Sequence, residues 1–316
     1  MTGPPAAVAA VRCAVRDCLV DVATGTPICV ALSGGADSLA LTAGAAFLRP
    51  GDVTALVVDH RWHAQSGVVA AHAASVARDM GAAATVLAAA SSRGEATART
   101  ARYDALSAAA ERLGAPVILV GHTRDDQAET VLLGLLRGSG PRSLAGMAPR
   151  RDPYRRPLLQ LPRAVTAAAC AAQGLTPYAD PANEDSSFAR VRVRREVLPM
   201  LAGALTRDIA ANLARTADLL RADADLLDAQ AGSAAAELAH PDGLSVAGLA
   251  ALPAALRRRV LHGLGAGLAS AHVEAMDALI MNWHGQGAVA LPGGARVVRD
   301  HGRIRVVSGN PTSSPV

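Results

Sequence analysis

The chain has 316 residues, of which 51% are hydrophobic, and a formal net charge of +4 at pH 7. This length is enough for a large core and predicts two domains. No uninterrupted apolar run approaches the ~18 residues of a membrane span, and no basic head precedes an apolar block, so we expect neither a membrane helix nor a secretory signal.

All the basic side chains are arginines, because the sequence contains no lysine. This excludes a Walker A loop and a Schiff-base lysine. Arginine binds phosphate with a planar fork, so the basic balance suits nucleic acid, although a compositional bias is the simpler cause. The cysteines have neither Cys-x-x-Cys nor zinc spacing, and they are expected to be idle thiols in a reducing cytosol: Cys13, Cys18, Cys29 and Cys170.

Apolar runs of strand length alternate with helical patterns over the first 180 residues. This alternation predicts an α/β fold with a parallel sheet and helices on both faces, in a domain of residues 1–200. Residues 201–316 predict a smaller, mainly helical domain with a C-terminal β-hairpin. The predicted helices of the first domain are 6–22, 37–47, 66–80, 96–113, 125–137 and 163–173, and its strands are 28–32, 53–58, 84–87, 117–120 and 158–159.

The first strand runs into a glycine turn, Ser33-Gly34-Gly35-Ala36-Asp37-Ser38, which a helix follows at once. Glycines let backbone N–H groups face into such a turn, and a helix N-terminus adds partial positive charge. The turn therefore suits a phosphate. From the glycines alone, an ordinary strand-to-helix turn is an equally good interpretation.

Three predicted strands end in polar residues, namely Ser33, Asp59-His60 and His122. Ligands of open parallel sheets bind beyond the carboxyl ends of the strands. Turn chemistry explains one such residue easily. Three together predict a site at this edge.

An acidic block, Gly121-His-Thr-Arg-Asp-Asp-Gln-Ala-Glu-Thr130, begins the helix after the fourth strand. Asp125 and Asp126 lie four and three residues before Glu129, so one helical turn presents these carboxylates together. They could hold Mg²⁺ or an ammonium group, or act as a base. Alternatively they stabilise their own helix, because acids are favoured at a helix N-terminus.

Arginines are concentrated in three further places. Arg99 and Arg102 share a helix face, Arg137 and Arg142 flank a glycine-rich loop, and four arginines fall within six residues: Arg190, Arg192, Arg194 and Arg195. For the first and third groups, contacts with phosphates or an RNA backbone and a solvated basic surface remain equal alternatives. The loop between Arg137 and Arg142 could touch phosphates or merely turn the chain.

These motifs together resemble the tRNA(Ile)-lysidine synthetase family of the ATP-pyrophosphatase superfamily. The resemblance covers residues 28–200 in the order of that family, and it departs from the family pattern at Arg61-Trp62. The blocks that carry it are 33–38, 58–60, 98–103, 121–130, 137–140, 156–159 and 180–199.

The resemblance implies a PP-loop domain like that of the adenine nucleotide alpha hydrolases, and a two-step ligation. The oxygen on carbon 2 of the wobble cytidine of a CAU anticodon attacks the α-phosphate of ATP and releases pyrophosphate. The amine of L-lysine then displaces AMP, which gives lysidine and changes the codon read from AUG to AUA. The implied partners are ATP, Mg²⁺, L-lysine and tRNA(Ile), and a homodimer is compatible with this interpretation.

The resemblance also implies roles for residues. Asp37, His122, Asp126 and Glu129 would be catalytic, and Asp37 would hold Mg²⁺. The ATP-binding residues would be Ser33, Gly34, Gly35, Ala36, Asp37, Ser38, Asp59 and Arg102. The tRNA-binding residues would be Arg137, Arg190, Arg192, Arg194 and Arg195.

Three other classes share the glycine turn. A tRNA thiolase of the same superfamily needs reactive cysteines, but Cys29 falls in a buried strand. A non-catalytic nucleotide-binding module has no use for the acidic block. Amide-forming relatives such as GMP synthetases would lack the arginines of 190–195.

Overall fold

The computed structural model describes residues 3–59, 65–88, 95–205 and 208–308. The chain divides into two compact units, Met1–Arg221 and Ala222–Val316. The domain boundary at residue 200 stays a prediction. No helix in the described part of the chain is both long and apolar enough to cross a membrane.

The first unit alternates strands and helices as the sequence predicts. A π-helical turn, Val193–Val197, continues the eighth helix into the ninth. Its elements are α1 (Ala6–Cys18), β1 (Ile28–Ala31), α2 (Ala36–Leu48), β2 (Val53–Asp59), α3 (Ser66–Asp79), β3 (Ala83–Ala88), α4 (Glu95–Arg112), β4 (Val117–Val120), α5 (Arg124–Leu136), α6 (Pro141–Leu144), β5 (Arg150–Arg151), β6 (Tyr154–Arg155), α7 (Arg163–Ala171), α8 (Ala189–Arg192) and α9 (Leu198–Leu205), and α10 (Ile209–Leu238) begins here.

Six strands form one sheet in the order β3-β2-β1-β4-β6-β5. All neighbours pair in parallel except β5, which is antiparallel to β6. The parallel sheet is therefore confirmed. The strand predicted at 158–159 is wrong, because Pro157–Gln160 forms a 3₁₀ turn. Proline has a fixed φ and no N–H, so Pro157 suits the first position of that turn better than a strand.

Helices cover both faces of the sheet, as predicted. Ile28 and Val30 of β1 pack into a core with α1, α2, α3 and α7. Cys29, between them, packs into a second core with α4 on the opposite face. Successive side chains of a strand point to opposite faces, so a continuous apolar run is what two covered faces require.

The second unit has an antiparallel sheet in the order β7-β8-β11-β10-β9. The pairing of β10 with β11 confirms the predicted C-terminal hairpin. Strands β7 and β8 are not predicted from the sequence, because they have only two and three residues. The elements that start in this unit are β7 (Ala239–His240), β8 (Gly243–Ser245), α11 (Val246–Ala251), α12 (Ala254–His262), α13 (Ser270–Met281), β9 (Val289–Ala290), β10 (Arg296–Asp300) and β11 (Arg303–Val307).

The carboxyl edge of the parallel sheet gathers the polar residues of the first unit. Ser33 follows β1, Asp59 ends β2, His122 follows β4 and Arg156 follows β6. Because β1 is parallel to β2 and β4, and β4 to β6, these residues share one edge. His60 lies outside the described residues.

Candidate active site at the carboxyl edge of the sheet

The glycine turn of residues 33–38, hereafter the phosphate loop, is held by its two serines. The hydroxyl of buried Ser38 donates to the carbonyl of Gly35 over 2.9 Å, and its Oγ accepts from the backbone N–H of Ser33 over 3.2 Å. The two serine hydroxyl oxygens are 3.1 Å apart. Since the Ser38 proton is already donated, Ser33 supplies the proton between them. The first N–H groups of α2 have no intrahelical partners, so they are available to an anion.

Two glycines set the surroundings of the loop. Gly34 has φ +86°, which favours glycine, and its carbonyl accepts from the N–H of Tyr178 over 2.9 Å. A Cβ on Gly121 would lie 3.1 Å from backbone atoms of Asp37 and Ser38. A side chain at residue 121 would crowd this contact, so glycine suits the close approach of the end of β4 to the start of α2. The acidic block therefore begins beside the phosphate loop.

Asp126 caps its own helix. Its Oδ2 accepts from the Thr123 N–H over 2.8 Å and from the Thr123 hydroxyl over 2.9 Å. Its Oδ1 accepts from Arg163 over 2.7 Å. Burial opposes ionisation of this carboxyl, but Arg163 and the Thr123 N–H outweigh burial and hold the pKa of Asp126 below its usual value. Asp126 thus has the helix-stabilising role that the sequence left open, and it is also an ion-pair partner.

Glu129 is fully buried and is bonded by three arginines. Oε1 accepts from Arg194 over 2.6 Å and from Arg163 over 3.3 Å. Oε2 accepts from Arg190 over 2.8 Å and from Arg194 over 3.1 Å. Two carboxylate oxygens offer about four acceptor sites, so these four N–H groups use them all.

Arg163 joins the acidic block to the phosphate loop. Besides Asp126 and Glu129, its Nε lies 3.5 Å from Oδ2 of Asp37, and its backbone N–H donates to Asp125 over 2.8 Å. The hydroxyl of Thr166 donates to the other oxygen of Asp37. Burial raises the pKa of Asp37, and these partners offset that effect only in part. We call this group the Glu129 cluster: Asp37, Asp126, Glu129, Arg163, Arg190 and Arg194.

The four arginines of residues 190–195 fall into two groups, one in the Glu129 cluster and one exposed. Arg190 and Arg194 enter the Glu129 cluster. Arg192 is exposed and donates to the carbonyls of Ser186 and Ser187 over 2.6 and 2.9 Å. Arg195 is also exposed and lies 3.6 Å from Glu184. Arg137 is exposed at the end of α5.

His122 meets an arginine at its first ring nitrogen. Nε of Arg156 donates to Nδ1 of His122 over 3.3 Å, and Nη1 of Arg156 donates to the carbonyl of Ala148 over 2.9 Å. Burial lowers the pKa of His122 to about 3; Asp126 opposes this effect, whereas Arg156 adds to it. The ring is therefore neutral near pH 7. We call these two residues the Arg156–His122 pair.

The other predicted site residues in the described part of the chain lie on the elements predicted for them. Asp59 ends β2, and its Oδ2 lies 3.6 Å from where a Cβ on Gly67 would be. Arg102 is half-buried on α4, one turn after Arg99, whose guanidinium lies 5.1 Å from the centre of the Tyr103 ring. Arg61 and Trp62, where the family pattern is broken, lie outside the described residues.

Sequence reasoning missed Arg163 and Thr166, and it gave Arg156 no role. A cation at the first position of a helix is unfavourable in the field of the helix dipole. Arg163 opens α7 at that position, which could have indicated an acidic partner elsewhere. No comparable local signal marks Thr166. Among the described residues, no group of three or more His, Cys, Asp or Glu side chains could hold a metal ion by itself.

Two family models match this chain, one in each of its two units. Residues 10–201 match the model of a PP-loop domain family, and residues 244–305 match that of the TilS substrate binding domain. A solved U34-tRNA thiolase from Methanococcus maripaludis has a TM-score of 0.58 at 15% identity, covering 68% of this chain and 80% of that protein. This likeness supports the fold alone.

The following relatives are similar to this chain over most of its length, and each is named tRNA(Ile)-lysidine synthase. The tRNA(Ile)-lysidine synthase of Salinispora tropica is 50% identical over 96% of this chain and 97% of its own. That of Thermobifida fusca is 46% identical over 97% of this chain and 99% of its own. That of Mycolicibacterium paratuberculosis is 52% identical over 83% of each. With a PP-loop domain, a substrate binding domain and such identity over nearly its whole length, the chain belongs to the tRNA(Ile)-lysidine synthase family of ATP-using ligases.

Proposed function

We propose that this chain ligates L-lysine to carbon 2 of the wobble cytidine of tRNA(Ile) with a CAU anticodon, using ATP and an adenylated tRNA intermediate. The product is lysidine, which changes the codon read from AUG to AUA, and AMP and pyrophosphate are released. The observation that carries this proposal is the junction at Gly121. There the backbone that leads into the acidic block touches the first turn of the phosphate-loop helix, so one edge offers both an anion site and carboxylates.

In the first step, the cytidine oxygen on carbon 2 forms a bond to the α-phosphorus of ATP while the bond to pyrophosphate breaks. The backbone N–H groups of Gly34, Gly35 and Ala36 would hold the leaving pyrophosphate. The Ser33 N–H and the Ser38 hydroxyl are bonded within the loop, so they would reach the pyrophosphate only by giving up these partners. Asp59 and Arg102 would bind the nucleotide from the neighbouring elements. Donors placed in advance stabilise the charge that develops on the phosphate oxygens.

The described residues fit Mg²⁺ as an ion shared with the substrate. Mg²⁺ is typically bound by one or two carboxylates together with substrate phosphates and water. Asp37, at the start of α2, offers one such carboxylate and is partly exposed. When bound there, the ion would neutralise charge on the phosphates. Arg163 and Thr166 hold Asp37 in position for it.

In the second step, the lysine amine forms a bond to carbon 2 of the cytidine, and the bond to the oxygen that now belongs to AMP breaks. The amine must lose a proton first, since it is protonated at neutral pH. Asp126 and Glu129 would hold the ammonium group and accept this proton. All acceptor sites of Glu129 are bonded to arginines, so at least one arginine must release it before lysine binds.

The exposed arginines Arg137, Arg192 and Arg195 would contact the tRNA backbone directly. Arg190 and Arg194 would reach it only by leaving the Glu129 cluster. The second unit, with its matched substrate binding domain, would hold the rest of the tRNA. A cytoplasmic location and a homodimer stay predictions; light scattering of the purified chain tests the latter.

The cysteines do not favour thiolation by this chain. Burial raises the pKa of Cys29 and of Cys170 to about 11. A thiol with such a pKa is protonated at neutral pH and is a poor nucleophile. Exposed Cys13 and half-buried Cys18 lie on α1, whose end precedes the amino end of β1 rather than the site edge.

The test supplies the full chain with tRNA(Ile) of CAU anticodon, ATP, Mg²⁺ and each amino acid in turn. We expect AMP release to need tRNA, product formation to need lysine, and the wobble nucleoside to gain the mass of lysidine. Asp37→Ala should abolish AMP formation without unfolding the chain, because several kcal/mol of charge stabilisation are lost. Asp17→Ala, at an exposed pair on α1, is the control. Lysine-independent turnover or a sulfur mass would overturn the proposal.

A further inference from the structure

The surroundings of Arg156 are unusual for a buried cation. Arg156 is only 8% exposed, yet its guanidinium makes no ion pair with a carboxylate among the described residues. Its two partners are a histidine nitrogen and a carbonyl oxygen. A buried charge is normally paired, so the Arg156–His122 pair retains a positive charge that an anion can satisfy.

The contact between the two residues also fixes the histidine tautomer. Arginine carries donors only and stays protonated in proteins. Nδ1 of His122, which accepts from Arg156, must therefore carry a lone pair. A neutral imidazole has one protonated nitrogen, so the proton is on Nε2. Nε2 has no hydrogen-bond partner among the described residues, and it is a donor rather than a base.

We propose that Arg156 is a positioning residue that holds His122 neutral with its proton on Nε2, and that His122 donates this N–H to a phosphate oxygen of ATP during adenylation. The inference rests on the proposed function. His122 directly follows Gly121, which packs against the first turn of the phosphate-loop helix. The same contact argues against His122 as the base for the lysine amine.

The other charges around His122 agree with a neutral ring. Asp126 on α5 favours the protonated ring, whereas Arg99 on α4 and Arg190 on α8 disfavour it. Burial, which has the largest effect, and the arginines together outweigh Asp126, and the pKa of His122 lies near 3. A neutral N–H donor stays in place over the whole physiological pH range, as a donor that stabilises developing charge must do.

The first test measures the tautomer itself by ¹⁵N NMR of the full chain, with His122→Gln assigning the resonance. We expect protonated Nε2 and unprotonated Nδ1 in the wild type and in Arg156→Lys, which keeps a charged donor. Arg156→Met, which removes the donor to Nδ1, should give a mixture of tautomers. A wild type with its proton on Nδ1, or an unchanged tautomer in Arg156→Met, would overturn the inference.

The second test measures exchange of pyrophosphate with ATP in the presence of tRNA. The amide nitrogen of glutamine can take the place of Nε2, whereas that of asparagine reaches only the place of Nδ1. His122→Gln should stay within about tenfold of the wild type, and His122→Asn and His122→Ala should be ~100-fold slower. Equal losses in all three variants would contradict donation from Nε2. A wild type without exchange would instead refute the proposed function and leave the NMR result standing.

Discussion

Two neighbouring groups of buried and half-buried charged residues at the carboxyl edge of the sheet are built in opposite ways. The Glu129 cluster contains three carboxylates and three arginines, so its formal charges cancel. The Arg156–His122 pair contains a cation and a neutral ring. Asp37 of the cluster and His122 of the pair both lie next to the close approach of Gly121 to the start of the phosphate-loop helix.

The difference indicates what each group does before substrates bind. A buried carboxylate that is fully bonded stabilises the fold as long as its partners remain, and removal of one partner leaves an unpaired charge. An unpaired buried cation stabilises the fold little, but it attracts an anion. The Glu129 cluster thus holds α5, α7 and α8 together, whereas the pair is prepared for phosphate. In the second unit, the carboxylate of Asp277 likewise accepts from two arginines, Arg257 and Arg258.

Glu129→Ala should produce the largest effect on stability. The substitution leaves Arg163, Arg190 and Arg194 without their common acceptor, and breaking a buried pair in this way costs about 3–5 kcal/mol. Urea unfolding of the full chain measures this loss. Glu184→Ala is the matched control, because Glu184 is exposed and lies 3.6 Å from Arg195. It should change the free energy of unfolding by less than about 1 kcal/mol; equal losses in both variants would refute the comparison.

The Arg156–His122 pair and the Glu129 cluster should respond to acid in different pH ranges, which unfolding stability can measure. His122 has a pKa near 3 in the folded chain and an ordinary value of 6.5, so between these values the unfolded chain binds more protons and stability falls as the pH falls. The slope is about 1.4 kcal/mol per pH unit. From pH 6.5 to about pH 5 the loss is therefore at most about 2 kcal/mol. Asp126, whose pKa is lowered, loses its contribution only at still lower pH.

His122→Gln should remove this slope, and urea unfolding at several pH values measures it. Asp37 acts in the opposite sense, because its raised pKa stabilises the folded chain as the pH falls. Its contribution cancels in the difference between variant and wild type. His72→Gln, at an exposed position of α3, should leave the slope unchanged. A wild-type slope in His122→Gln would mean that His122 is not held neutral by the fold.

The fold and the phosphate loop could be predicted because their signals are local. A strand of residues 28–31, two glycines and a helix start follow closely along the chain, and burial of both sheet faces explains the continuous apolar runs. The acidic block is local as well. Its position beside the loop followed from the rule that parallel strands share their carboxyl edge.

The partners of the acidic block could not be predicted, because they come from far along the chain. Glu129 is bonded by residues 34, 61 and 65 positions later. Spacing within one helix indicates that Asp126 and Glu129 share a face, but not what covers that face. The four arginines of 190–195 looked alike in the sequence. The π-helical turn at Val193–Val197 and the contacts of α5 with it decide which of them turn inward.

The smallest effects concern tRNA binding. Here the outward arginines, Arg192 and Arg195, should differ from the inward arginines, Arg190 and Arg194, of the Glu129 cluster. Arg192→Gln with Arg195→Gln removes two exposed cations. If both contact phosphates, the slope of log K against log salt should fall by about 1.4 to 1.8, since each contact contributes roughly 0.7 for a single strand and 0.9 for a duplex. Filter binding of tRNA across a salt series measures this slope. Unfolding stability should stay within about 1 kcal/mol of the wild type.

Arg190→Gln with Arg194→Gln is the matched pair of substitutions from the same segment. Because these side chains bond Glu129, their loss should lower stability and leave the salt slope nearly unchanged as long as they stay in the Glu129 cluster. A fall in slope equal to that of the outward pair would mean that Arg190 and Arg194 leave Glu129 for phosphate when tRNA binds. That same exchange would free the acceptor sites that a lysine ammonium needs, so the two slopes together test whether tRNA must bind before lysine.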